Sequence, residues 1–158
     1  MNNNYFCHVI RDLFPKTTAT ICYGDNCNLV DTLRTPVHGI GALMLHTEYN
    51  KSVEEEYSHM WDIGINGCYF GDQFCDLFIS VDYNPLLNGN NYDYMAAQIK
   101  NLVRLNGFLF LVNPGLWASS ISKYFLLRED LVKEAKRYSF LKNDKVYIYE
   151  NIRLFNIL

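Results

Sequence analysis

The chain holds no apolar run near the ~20 residues that a membrane-spanning helix needs, and no strong excess of either charge. Fourteen lysines and arginines stand against seventeen acids, for a net charge of -3. No global basic field therefore draws it to nucleic acid or to a membrane surface, although a local basic face stays open. The cysteines (Cys7, Cys22, Cys27, Cys68 and Cys75) are odd in number and include no C-x-x-C pair. That argues against a zinc ribbon, a thioredoxin-type site or a secreted disulfide framework. They read instead as small buried side chains of a reduced, intracellular protein. His8, His38, His46 and His59 are scattered without paired metal spacing, so no metal site is expected. The opening MNNNYFCHVIRDLF lacks the basic start, apolar centre and small-residue cleavage site of a secretory leader. The expected location is cytoplasmic.

Apolar residues make up 49% and charged residues 20%, enough for a substantial core in one domain. A single domain over 1–158 is expected, with 1–16 as an N-terminal helical segment. Asn and Tyr are abundant, which suits an AT-rich coding sequence of the kind found in many viruses and low-GC microbes. No repeat, low-complexity tract or linker interrupts the chain.

Residues 5–14 place apolar groups at helical spacing up to Pro15. TTATICY (17–23) reads as a strand, LVDTLR (29–34) as a helix stopped before Pro36, and VHGIGALML (37–45) as a second strand. SVEEEYSHMWDIG (52–64) predicts a helix, GCYFGD (67–72) a short third strand, and CDLFISV (75–81) a clear fourth. After a polar loop broken by Pro85 and Gly89, YMAAQIKNLVRL (94–105) reads as a helix with Gly107 just past its end. An unbroken apolar run at 108–112 follows, as expected of a strand buried on both faces, and Asn113-Pro114-Gly115 halts it. Residues 119–138 read as helical. Residues 139–158 read as two strands joined at Asn143-Asp144, a terminal antiparallel hairpin. Alternating strands and helices predict an α/β fold whose sheet is mostly parallel, with strands 19–23, 76–81 and 108–112 as central neighbours.

CDLFISV and LVRLNGFLFLVNPG resemble the fourth- and fifth-strand elements of class I S-adenosylmethionine-dependent methyltransferases, whose Rossmann-like sheet ends in a reversed strand. The resemblance implies S-adenosyl-L-methionine as cofactor. Its first motif, an acid followed by Gly-x-Gly-x-Gly, resembles ICYGDNCNL. Gly24 matches the first glycine, Asn26 and Asn28 stand at the other two, and Cys22 replaces the acid. The resemblance thus places Tyr23, Gly24, Asp25, Asn26 and Asn28 around the cofactor. HGIGAL resembles the step that ends in the family's ribose-binding acid, but that acid's place falls on Gly41, with Glu48 the nearest acid downstream. FGDQF resembles the Gly-Asp step after strand three, where Asp72 would accept from the adenine amino group.

SVDYNPLL occupies the place of the family's catalytic loop, with Asp82 and Asn84 as the residues that would orient an acceptor. Amino-methylating and ribose 2′-O-methylating members each offer a partial match; an ordinary Asx-type turn is the bland alternative. The acceptor, RNA or protein, stays open, and a protein partner could complete the site. KEAKRY near Lys133 could face phosphates, although a solvated helix end explains it as well. EEE at 54–56 reads as a solvated helix face. Trp61 and Trp117 read as packing residues, with Trp117 placed to line a pocket. Two of the three implied cofactor anchors are degenerate. A protein of this fold that has lost catalysis and serves as a binding or scaffold subunit is therefore the competing reading. A nucleotide-binding Rossmann domain would need a fuller glycine fingerprint and an acid after strand two.

Overall fold

The computed structural model describes residues 2–24, 27–45, 73–84 and 91–153. The expected helix at 52–64 and the short strand at 67–72 lie outside them, as do Trp61, the 54–56 acids and Cys68. Helix α1 (Asn3–Leu13) is capped by Asn2, whose side chain accepts from the Asn4 and Tyr5 amides. Strand β1 (Ala19–Tyr23), helix α2 (Cys27–Arg34) and strand β2 (Gly41–Leu45) follow. Next come β3 (Cys75–Val81), α3 (Asn91–Leu102) and β4 (Val103–Val112). A 3-10 turn (Gly115–Trp117) leads into the single-turn α4 (Ala118–Ile121). The two-residue β5 (Leu126–Leu127), α5 (Glu129–Ala135), a second 3-10 turn (Ser139–Leu141) and β6 (Val146–Glu150) complete the order.

The described strands form one sheet in the order β2-β1-β3-β4-β6-β5. The first four run parallel; β6 is antiparallel to both β4 and β5. The three apolar runs expected at the centre are indeed neighbours, β1 beside β3 and β3 beside β4. Helices cover both faces, which is why 109–112 carries no polar residue and is fully buried. Phe110 and Val112 pack toward α1, α2 and α5, where Phe6, Ile10, Leu29 and Leu33 sit. Leu109 and Leu111 pack toward α3 and α4, with Met95, Ile99, Trp117 and Ile121.

At the amino edge of the sheet, Asp76 clamps β3 to the start of β1. Its carboxylate accepts from Thr18 Oγ1 (2.9 Å), Thr18 N (3.0 Å) and Ala19 N (3.2 Å). Arg104 lies 3.6 Å away as a partly exposed ion partner.

Two expectations need correction. The helix does not run to Leu105: it ends at Leu102, and the chain is extended from Val103. Cys75 pairs with Val103 but Leu77 with Phe108, so residues 104–107 bulge opposite Asp76. Asn106 takes a φ of +68° there, a region that Asn tolerates better than most residues. Buried Asn151 stabilises the bulge: its Nδ2 donates to Val103 O (2.8 Å), its N to Gly107 O (2.9 Å), and its O accepts from Asn106 N (2.8 Å).

The second correction concerns the end of the chain. No hairpin turns at Asn143-Asp144, because 139–141 is a 3-10 turn and β6 pairs instead with β4 and β5. Leu126 and Leu127, expected in a helix, form that edge strand. Arg128 fixes the junction, bonding Glu150 Oε1 at 2.7 Å and Asp130 through two nitrogens at 3.0 and 2.8 Å.

Candidate functional site

Open α/β sheets place ligands at the carboxyl ends of their strands, beside the point where the strand order reverses. Here that point lies between β1 and β3. Gly24, the first residue past β1, has a φ of +136°. A Cβ built on it would stand 3.1–3.3 Å from three atoms of Tyr83, whose ring covers that face. The conformation favours glycine here, and a Cβ would also need Tyr83 to give by a few tenths of an ångström.

Tyr23 turns its side chain inward. It is 2% exposed, its hydroxyl lies 3.6 Å from Met95 Sδ, and its ring meets Phe78, Tyr83 and Trp117 at 5.1–5.7 Å between centroids. Its backbone alone faces the turn. Asp25 and Asn26 lie outside the described residues, as does Asp72. Asn28 is exposed in the first turn of α2, and its carbonyl accepts from Thr32 Oγ1 at 2.7 Å.

Two loops meet next to Gly24. Asp82, just past β3, adopts a φ of +53°, and its amide donates to Val112 O at 2.8 Å. Asn113, just past β4, adopts +50° and joins three segments. Its Nδ2 donates to Asp82 Oδ1 (2.7 Å) and to Asp144 Oδ1 (3.2 Å), while its Oδ1 accepts from Lys145 N (2.9 Å). Gly115, at φ +79°, lies so close to Asn84 that a Cβ there would come within 2.4 Å of that side chain. Trp117 is fully buried and donates from Nε1 to Tyr83 O at 3.3 Å. The structure thus brings Gly24, Asp82, Tyr83 and Asn84 together with the 113–117 segment.

Asp82 and Asn84 are exposed, and Asp82 is held at one carboxylate oxygen. Its Oδ2 makes no hydrogen bond among the described residues. An anchored carboxylate with one free oxygen can accept a proton-bearing group from a ligand at the rim. Gly41 is misplaced by the sequence reading: it pairs with Ala19 at the amino edge, because β2 runs on to Leu45. The carboxyl end of β2 therefore lies just before residue 46, which leaves Glu48 three residues beyond Leu45 in sequence. Glu48 itself lies outside the described residues.

The sequence puts Asn113 in a 113–115 turn expected to wall the pocket and Tyr83 in the 82–85 loop expected to face it, but it gives neither the fastening of three segments by Asn113 nor the cover that Tyr83 lends Gly24. An Asn-Pro pair directly after a buried strand is the available signal for the first, since Asn favours positive φ. Nothing local signals that Tyr83 covers Gly24. Two cavities lined by described residues, of about 310 and 350 Å³, sit at the amino edge, away from these loops. No group of three metal-ligating side chains occurs among the described residues, and no described helix is long and apolar enough to cross a membrane.

No protein-family model and no curated protein matches the sequence. Solved structures do match the fold. A TehB-like S-adenosylmethionine-dependent methyltransferase from Corynebacterium glutamicum aligns with a TM-score of 0.65 at 11% identity, over 92% of this chain and 86% of that one. A putative sarcosine dimethylglycine methyltransferase from Galdieria sulphuraria aligns at 0.61 and 10% identity, over 95% and 85%. The cyclase SpnF aligns at 0.60 and 8% identity, over 94% and 80%. At such identities the likeness is one of fold: the mostly parallel sheet of this chain resembles the Rossmann-like topology of the class I S-adenosylmethionine-dependent methyltransferases.

Proposed function

We propose that the chain is a small S-adenosylmethionine-dependent methyltransferase whose site lies over the turn at Gly24. The observation that carries this reading is the junction of two carboxyl-end loops, 82–84 and 113–115, beside a glycine whose φ of +136° an L side chain rarely adopts. The residues fit the cofactor in part. Gly24 takes the positive φ that a glycine turn past the first strand calls for, and Asn28, four residues on, is exposed. Glu48 follows the carboxyl end of β2, where the family keeps its ribose acid, and Asp72 would read adenine. When bound, S-adenosylmethionine supplies an electrophilic methyl group. The chain's own contribution is positional. Asp82, fixed by Asn113, accepts the hydrogen of the acceptor's nucleophile, and Asn84 orients it from the same loop.

Calorimetric titration with S-adenosylmethionine and S-adenosylhomocysteine tests binding, and transfer of a radiolabelled methyl group to RNA and protein extracts tests chemistry. Asp82→Ala and Asn84→Ala should lower turnover far more than cofactor affinity. Absence of heat with either ligand sinks the proposal. Asp72→Ala should weaken binding by about 1–3 kcal/mol, as for a lost buried hydrogen bond.

One observation favours the scaffold alternative. Tyr83 covers Gly24 from the chain itself, and Asn replaces glycine at 26 and 28. On that reading neither ligand binds, both variants keep their partner binding, and no methyl transfer occurs.

A further inference from the structure

Positive charge is concentrated late in the chain. Lys133, Lys136, Arg137, Lys142 and Lys145 stand within thirteen residues against only Glu134 and Asp144, and they are five of the chain's fourteen cations. All five are exposed. Arg137 pairs loosely with Glu134 at 3.4 Å, while the four lysines pair with no carboxylate among the described residues. Unpaired clustered cations repel one another, so the cluster weakly opposes folding unless an anion meets it.

The fold adds what the sequence could not place. The stretch climbs from the end of α5 through the 139–141 turn to the carboxyl edge of the sheet. There Lys145 O accepts from Asn113 N at 2.8 Å, Lys145 N donates to Asn113 Oδ1 at 2.9 Å, and Asn113 in turn holds Asp82. The basic stretch therefore ends at the candidate site. It also meets an aromatic group: Phe140 lies 6.1 Å from Tyr5, whose ring is 59% exposed, and 6.2 Å from Tyr138. The Tyr138 hydroxyl donates to Asp12 and thereby fastens the stretch to α1. That bond, with burial, pushes the phenol up to about 12, so it remains a donor at neutral pH.

We propose that residues 133–145 together with Tyr5 form a binding surface for single-stranded nucleic acid. Lys136, Arg137, Lys142 and Lys145 meet phosphates, and the Tyr5 ring is the platform on which a base stacks. A single strand pairs every phosphate with a base that can stack, whereas an acidic protein segment offers a stacking face only where it carries an aromatic side chain. The surface stands whether or not the chain transfers methyl groups; that it delivers the acceptor to Asp82 rests on the methyltransferase reading.

The test is fluorescence anisotropy of a labelled single-stranded RNA of about 20 nucleotides, with thermal unfolding as a folding control. Binding should weaken steeply between about 50 and 200 mM salt. Lys136→Glu with Lys142→Glu should lower affinity about tenfold or more at fixed salt. Lys16→Glu, an exposed lysine at the opposite edge, should leave it unchanged. Tyr5→Ala should weaken binding without altering the salt dependence. No binding at low salt, a double variant that binds like the wild type, or displacement of the RNA by polyglutamate at equal charge each overturns the proposal. RNA binding without any heat from S-adenosylmethionine would count against methyl transfer and leave this surface standing.

Discussion

Gly24→Ala is the sharpest probe of the turn past β1, because two separable costs act at one atom. The first is conformational. A φ of +136° lies beyond the left-handed well near +57° that Asn and Asp reach, and an L-residue held there costs of order 1–3 kcal/mol. The second is steric. The new Cβ would stand 3.1 Å from Tyr83 Cγ and 3.3 Å from Cβ and Cδ1, so the ring must yield by a few tenths of an ångström. Tyr83 is only half-buried, which sets that cost near the lower end for overpacking, about 1 kcal/mol. Together they amount to about 3 kcal/mol, or a Tm lowered by about 6–12 °C for a domain of this size. Thermal and urea unfolding followed by circular dichroism measure the loss. The same substitution made on Tyr83→Ala should cost up to about 1 kcal/mol less, since the two ring contacts are gone while the contact with Cβ and the backbone cost remain. A Gly24→Ala protein within about 0.5 kcal/mol of the parent would refute the reasoning, as would a cost that vanishes wholly without Tyr83.

Asn113→Asp replaces a donor to two carboxylates with a third carboxylate, at contacts of 2.7 and 3.2 Å. It should cost about 1–3 kcal/mol in urea unfolding at neutral pH; equal stability there would remove Asn113 as the junction. His38 is 8% exposed, and its Nδ1 has no hydrogen-bond partner among the described residues. Burial, then His8, then Arg11 hold its pKa below the ordinary 6.5. The unfolded chain therefore protonates first, and His38's share of stability is whole above pH 6.5 and declines as the pH falls below it. His38→Gln should flatten that decline in unfolding curves taken across the acid range, and an unchanged slope would place its origin elsewhere.

The central strands were legible because burial on both faces leaves its mark in the residues themselves: 108–112 has no polar member, and the Asn-Pro-Gly that follows is a local stop. The edges were not. Leu126 and Leu127 carry helical neighbours, and only β6 and the Arg128–Glu150 bond draw them into the sheet. The early end of α3 depends on Asn151, which lies 48 residues from Val103 and leaves no local trace. At the site, glycine at 24 and the Pro-containing loops were readable as turn chemistry, and their meeting across β3 and β4 followed from the strand order. The register of β2 was not readable. Its two glycines blurred where the strand begins, and Gly41 was assigned to the wrong end.

Asp76 has a consequence for how the chain can vary. Its bonds to Thr18 and Ala19 close a loop of 57–58 residues at the base of the sheet. Loop-closure entropy grows only with the logarithm of length, so doubling that loop would cost about 0.6 kcal/mol, less than one of the hydrogen bonds that Asp76 accepts typically contributes (about 1 kcal/mol). A change of length within that loop thus costs less closure entropy than the clamp returns. The loops closed by the Asp82–Asn113 and Asn113–Lys145 bonds span 31 and 32 residues and follow the same rule. Relatives of this protein that differ in length between Ala19 and Asp76 should therefore still carry an acid at the place of Asp76.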